Sequence, residues 1–280
     1  MTVGLALVSA GGVSTSPHPV AETPVTAVVL VDASWSTANV MAPFVWDGSR
    51  DSHGQIDFAS GRRLPHRPAD LFLPGITGGL LPSLVQGDRI RFASFGRTFR
   101  MNSRFVTDRN DMPRAAREAL DVSDDERYGP SPLWDALLEC IEALAAEPSP
   151  RVAIAVTDGL TTGNRTGLAA LERRAVEARV TIYVVHQTQR WVGRAFRLRD
   201  GSGNPWAFLT NPLGRRPEAM LRQLAEATGG LYLADESPSG AYVRDTRDGR
   251  DYPDPNRSRA RSLGPLLQEV AEHINAARSP

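Results

Sequence analysis

The sequence predicts an α/β protein: a doubly wound, mostly parallel central sheet, flanked by helices, with one antiparallel edge strand. Three observations predict it. Apolar runs of strand length recur at 25–31, 89–95, 152–157 and 180–185, and short apolar runs closed by polar residues read as strands buried on both faces. Segments of helical period alternate with them, and that alternation favours parallel strands joined by crossover helices. Two of the runs end in a carboxylate, Asp32 and Asp158, at the strand ends where open parallel sheets place their ligands.

The elements follow in order. Residues 1–24 are rich in small residues and proline and read as a leader or linker. The remainder, 25–280, reads as a single domain with insertions at about 43–70 and 189–216, where periodicity fails and Gly, Pro, Ser and Arg accumulate. The first strand spans about 25–32. An apolar segment from Leu71 to Val85 has the composition for a helix, weakened by Pro74, Gly78, Gly79 and Pro82. Gly87-Asp88 turns into a strand at Arg89–Phe95, with a hairpin partner through Phe99–Phe105. Thr107 or Asp108 would cap a short helix reaching Leu120. After the turn 128–132, the spacing of Leu133, Ala136, Leu137, Cys140, Ile141 and Leu144 predicts a helix to Ala146. A strand at Val152–Thr157, a helix at Thr166–Ala178 and a strand at Val180–Val185 follow. A helix from Glu218 to Thr228 stops at Gly229-Gly230, before a short strand at Leu231–Ala234. Residues 236–260 read as loop. The last helix, about Leu263–Ala277, puts Leu263, Leu266, Leu267, Val270 and Ile274 on one face and tolerates Pro265 in its first turn.

Composition narrows the functional classes. The chain has 280 residues, 41% of them hydrophobic, enough for one large α/β domain with insertions. Its net charge of +0 offers no global basic field for nucleic acid or anionic lipid. All 32 basic residues are Arg, a bias spread over the whole chain. The single cysteine, Cys140, falls at a core position of a helix. No apolar run approaches the roughly 18 residues of a membrane helix. Val8-Ser9-Ala10 follows an apolar stretch and resembles a signal cleavage site, but no positive residue precedes it. Two readings stay open: a remnant of an export signal, which would make the protein periplasmic or secreted, or the tail of a cytoplasmic one.

Three element ends supply oxygen donors. Asp32, Ser34 and Ser36 follow the first strand, Ser131 precedes the Leu133 helix, and Asp158 ends the strand Val152–Thr157. Two carboxylates and three hydroxyls suit a hard cation that accepts oxygen ligands and keeps some water. The formal charges of Mg²⁺ and two carboxylates cancel, and a further position would remain for an outside oxygen.

These residues carry a resemblance. Asp32-Ala33-Ser34-Trp35-Ser36 is similar to the Asp-x-Ser-x-Ser motif of von Willebrand factor A (VWA) domains. Gly129-Pro130-Ser131-Pro132-Leu133-Trp134-Asp135-Ala136-Leu137 resembles the family's Gly-Gly-Thr-x-Leu-x-x-Ala-Leu segment, with Ser131 in place of the metal-binding Thr. Val156-Thr157-Asp158-Gly159 resembles its Leu-Thr-Asp-Gly strand end. Gly87-Asp88-Arg89-Ile90 and Ala225-Glu226-Ala227-Thr228-Gly229-Gly230 match two further segments, in the family's order. The resemblance implies a Rossmann-like VWA fold with a metal-ion-dependent adhesion site at Asp32, Ser34, Ser36, Ser131 and Asp158. It implies Mg²⁺, or Mn²⁺ or Ca²⁺, with the serines ligating directly and the aspartates largely through water. It further implies a protein partner with an exposed Asp or Glu, as in bacterial members of the family. Ser131 departs from the pattern by lacking a methyl, and Thr37 stands where an apolar residue often follows the motif.

The remaining candidates have plainer readings. Asp135 reads as a helix-start residue complementing the dipole. His186 reads as a structural or rim histidine. His53, His66, Asp51 and Asp57 crowd the first insertion without zinc spacing. Trp35 suits core or partner contact equally. In the second insertion Arg190, Arg194, Arg197, Arg199, Arg215 and Arg216 with Trp191 and Trp206 suggest a cationic rim, since Trp and Arg are frequent interface anchors. The expectation is a non-enzymatic binding module. The alternatives are a Mg²⁺-dependent phosphotransferase-like hydrolase with Asp32 as nucleophile, which lacks the second Asp and the Lys such chemistry uses, and a metal-free scaffold of the same fold.

Overall fold

The computed structural model describes residues 23–34, 36–37, 44–45, 62–63, 67–127, 129–187, 217–235, 242–244, 251–253 and 263–278. The elements run β1 (Thr26–Asp32), β2 (Phe44–Val45), β3 (Arg62–Arg63), α1 (Pro68–Gly75), β4 (Arg89–Phe95), β5 (Phe99–Met101), α2 (Met112–Ala119), α3 (Asp124–Arg127) and α4 (Leu133–Ala145). They continue with β6 (Arg151–Thr157), α5 (Leu168–Glu177), β7 (Val180–His186), α6 (Pro217–Ala227), β8 (Tyr232–Ala234), β9 (Tyr242–Arg244), β10 (Asp251–Pro253) and α7 (Leu263–Arg278). Six strands make one sheet in the order β5–β4–β1–β6–β7–β8. β5 is antiparallel to β4, and every other pair is parallel. The expected doubly wound sheet with an antiparallel edge strand is therefore the observed one.

The two-residue period of β1 sorts its side chains between two cores. Val25, Ala27, Val29 and Val31 join α1, α2 and α7 on one face. Val28 and Leu30 join α4, α5 and α6 on the other. All seven residues of β1 are buried, as a central strand covered on both faces must be. In register, Asp32 lies beside Phe95 on one side, and Val31 lies beside Val156 on the other. The carboxyl ends of β1, β4 and β6 therefore finish level at one edge. A crossover helix returns antiparallel to the strands, so the N-terminus of α4, with Ser131 just before it, comes to that same edge.

Several expectations need correction. The weak helix at 71–85 is a real one starting at Pro68: α1 runs on as a π-turn (Ile76–Leu80) and a 3₁₀ turn (Leu81–Ser83). Two of its glycines serve packing, because a Cβ on Gly79 would collide with the carbonyl of Gly264 on α7, and one on Gly75 would meet Leu263. Helix α2 begins at Met112, later than Thr107 or Asp108. The hairpin partner of β4 is shorter than expected, three residues plus a bridge between Ile90 and Val106. The loop at 236–260 contains the antiparallel pair β9–β10, and the first insertion contains the pair β2–β3. Trp35, the histidines and aspartates of the first insertion, and the Arg- and Trp-rich span 189–216 lie outside the described residues.

The base of the sheet is tied by a buried carboxylate. Asp88 accepts from Val25 N–H (2.8 Å), Val85 N–H (2.9 Å) and Arg278 Nη2 (2.8 Å). It thereby fastens the start of β1, the turn into β4 and the last residue of α7 at one point.

Candidate functional site

Each carboxylate at the sheet edge first organises its own loop. Asp32 Oδ1 accepts from Ser34 N–H at 3.0 Å, and Asp158 Oδ1 accepts from Leu160 N–H at 2.8 Å. These bonds turn the chain sharply after each strand. The second oxygen of Asp32 accepts from Thr157 Oγ1 at 2.7 Å, across from β6. Ser34 Oγ lies 3.0 Å from Ser36 Oγ and 3.4 Å from Thr37 Oγ1. The Ser36 hydroxyl faces the Asp158 carboxylate, and the Thr37 hydroxyl, with one hydrogen to give, faces both carboxylates. Asp32, Ser34, Ser36 and Asp158 thus form one hydrogen-bonded cluster.

Ser131 reaches the same edge on the turn before α4, which is docked onto the loop after Asp158. Thr162 Oγ1 accepts from Ser131 N–H at 3.0 Å, Thr161 Oγ1 donates to the Ser131 carbonyl at 3.0 Å, and Thr162 N–H donates to that carbonyl at 3.1 Å. Ser131 is buried, yet among the described residues its Oγ has no hydrogen-bond partner. Such a group is costly unless something else satisfies it.

Burial sets the electrostatics. Asp32 and Asp158 are 1% and 2% exposed. Burial raises the Asp32 carboxyl above its ordinary 3.8, against hydrogen bonds from Ser34, Thr157 and Thr37. Burial, and then the charge of Asp32, push Asp158 up to about 7, against hydrogen bonds from Ser36, Leu160 and Thr37. Two buried carboxylates that resist ionising together, ringed by hydroxyls, are a donor set that a dication would relieve. Ser131 Oγ fits the same demand. Among the described residues, no group of three or more His, Cys, Asp and Glu gathers as an alternative metal centre.

Sequence reasoning missed two members of the cluster. Thr37, fully buried, lies beside Ser34 and faces both carboxylates. Thr157 bonds Asp32 and accepts from Gly159 N–H at 3.0 Å. The signal for Thr37 is its departure from the apolar pattern. Asp135 lies in the first turn of α4, as expected, and its oxygens also accept from Arg165 and Thr166 N–H at 2.8–3.2 Å, clamping the loop after Asp158. Cys140 is a buried core residue.

The comparisons with known proteins concern shape. A von Willebrand factor type A protein from Catenulispora acidiphila superimposes with a TM-score of 0.50 at 13% identity, over 89% of this chain and 42% of that one. This chain folds as a VWA domain. Two other proteins share the fold at similar distance. They are proximal thread matrix protein 1 of the mussel byssus (TM-score 0.52, 12% identity, 91% of this chain and 49% of that one) and the D319A mutant of the PilB minor pilin of Streptococcus sanguinis (0.50, 11%, 94% and 64%). The chain spans less than two thirds of each of these three. By sequence, neither a protein family nor a curated protein matches it. Among the described residues, no helix is long and apolar enough to cross a membrane.

Proposed function

We propose that the protein is a non-enzymatic binding module that holds Mg²⁺ at Asp32, Ser34, Ser36, Ser131 and Asp158 and uses it to grip an acidic side chain of a protein partner. The observation that carries this reading is the buried carboxylate pair, ringed by hydroxyls, at the carboxyl edge of the sheet. Mg²⁺, or Mn²⁺ in its place, would neutralise the pair and take the unsatisfied Ser131 hydroxyl as a ligand. The five side chains contribute two negative charges, so the bound dication has no formal excess, yet hard cations keep exchangeable positions for outside oxygens. A partner Asp or Glu would complete the shell, as the fold's resemblance to metal-dependent adhesion domains suggests. Thr37 and Thr157 serve as the outer shell that aims the carboxylates.

The test is a synthetic peptide array in which each acidic peptide is paired with its amide counterpart. The reading expects capture of Asp- or Glu-bearing peptides in Mg²⁺, lost in chelator and lost in the Ser34→Ala/Ser36→Ala variant. Capture that ignores Mg²⁺ and the double substitution would refute it.

A further inference from the structure

Beside the carboxylate cluster, between the end of β7 and the start of β8, a second set of bonds ends on Asp158. His186 is 6% exposed. Its Nε2 lies 3.0 Å from the main-chain carbonyl of Asp158, and its Nδ1 lies 2.6 Å from the hydroxyl of Tyr232. A carbonyl oxygen only accepts, so Nε2 carries the hydrogen of this bond. The ring is buried and neither of its nitrogens bonds a carboxylate, so it is neutral and Nδ1 accepts from the Tyr232 O–H. Tyr232 is itself fixed, with its ring 5.8 Å from the imidazole centroid and the Arg222 guanidinium 4.4 Å above its own centroid.

The residue after Asp158 is held as well. Gly159 has φ +72, and a Cβ there would lie 2.9 Å from both Pro217 Cβ and Leu221 Cδ1 and 3.5 Å from His186 Nε2. The main chain at 158–159 is thus pressed between His186 and α6, while the Asp158 carboxylate accepts from Leu160 N–H and faces the Ser36 and Thr37 hydroxyls.

We propose that His186 and Tyr232 act as a positioning relay for the metal site: Tyr232 fixes the tautomer of His186, and His186 Nε2–H fixes the Asp158 carbonyl, which orients the Asp158 carboxylate. The relay rests on the metal-binding reading above. Neither residue touches the metal, and both act through the backbone of one ligand. Residue 232 is 46 positions from residue 186, so the relay couples the end of β7 and the start of β8, and α6 beneath them, to the affinity of the site.

The experiment uses the full chain with Mn²⁺ as probe, read by the electron paramagnetic resonance of the free ion, alongside thermal unfolding. The variants are Tyr232→Phe, His186→Leu and His186→Gln. Outer-shell groups tune metal affinity by about 10- to 100-fold. The relay predicts a rise of about 10-fold in the Mn²⁺ dissociation constant for Tyr232→Phe and more for His186→Leu. It predicts recovery towards wild type in His186→Gln, whose amide restores a donor to the carbonyl. Nitrogen-15 NMR of the wild type should show the Nε2–H tautomer, and Tyr232→Phe should mix the tautomers. Wild-type binding with unchanged affinity in Tyr232→Phe and His186→Leu, whatever their melting temperatures, overturns the relay alone. An Nδ1–H tautomer in the wild type overturns it too, even if His186→Leu fails to fold. A wild type that binds no Mn²⁺ overturns the metal reading and the relay with it.

Discussion

Replacing Asp158 by asparagine should stabilise the metal-free protein at neutral pH, although it removes a proposed metal ligand. Asp158 is buried, and its carboxyl is pushed from 3.8 up to about 7 by burial and the charge of Asp32. Between those values the folded protein holds a proton that the unfolded chain has released. The contribution of Asp158 is therefore fully present below pH 3.8, falls as pH rises, and is gone above about 7. At about 1.4 kcal/mol per pH unit, the loss is somewhat over ~4 kcal/mol. It belongs to the Asp32–Asp158 pair, because ionising one opposes ionising the other. Asparagine keeps the shape and carries no charge. Its amide can still bond the Ser36 and Thr37 hydroxyls, which turn to accept from it.

The assay is urea unfolding of both proteins in chelator at pH 4 and pH 7.5. Titrating groups other than the coupled Asp32 are common to both and cancel in the difference. These include His186, whose lowered pKa favours the fold as pH rises, and Glu126, held down to about 2 by Ser123 and Arg100. The expected result is near-equality at pH 4 and an advantage of about 1–4 kcal/mol for Asp158→Asn at pH 7.5. Saturating Mg²⁺ should then erase or reverse that advantage, since a ligand at 100 times its dissociation constant adds about 2.7 kcal/mol to the protein that binds it. A variant equally destabilised at both pH values in chelator would refute the electrostatic reasoning.

The other predictions concern the scaffold around the site. Asp88→Ala leaves two backbone N–H groups and the Arg278 guanidinium without their acceptor, and denaturant unfolding should record a loss of about 3–5 kcal/mol. Arg278→Met should cost under about 2 kcal/mol, because it also removes Nε and Nη1, which are buried with no partner among the described residues; a larger loss than for Asp88→Ala would refute this asymmetry. Gly230→Ala would drive a Cβ into the carbonyl of Ile182 on β7 and should lower stability by about 3 kcal/mol in the same assay, whereas Gly78→Ala, with open space around it, should not. Thr37→Val keeps the shape but removes a hydroxyl shared by both carboxylates, and should weaken Mn²⁺ binding by about 10-fold in a paramagnetic resonance titration while the fold persists.

The strands at 26–32, 89–95, 151–157 and 180–186 were legible because a buried parallel strand is apolar throughout, and its end is marked by the first polar residue. That marking also made Asp32 and Asp158 visible as site candidates. α1 and the π-turn after it were obscured because Gly79 is there to let Gly264 approach, a tertiary demand that overrides helix propensity. β2, β3, β9 and β10 are too short to show a period. Thr157 read as the last strand residue, and only the register of β6 beside β1 turns its hydroxyl into a partner of Asp32. His186 was visible, but its use depends on Tyr232, which no local pattern connects to it.

The most direct measurement is a calorimetric titration of Mg²⁺ into the wild type and into Ser34→Ala/Ser36→Ala at pH 7.5. The account predicts binding of one ion by the wild type and no binding heat in the double variant, with both proteins folded. The same heat from both would contradict the claim that the carboxylate and hydroxyl cluster holds a metal.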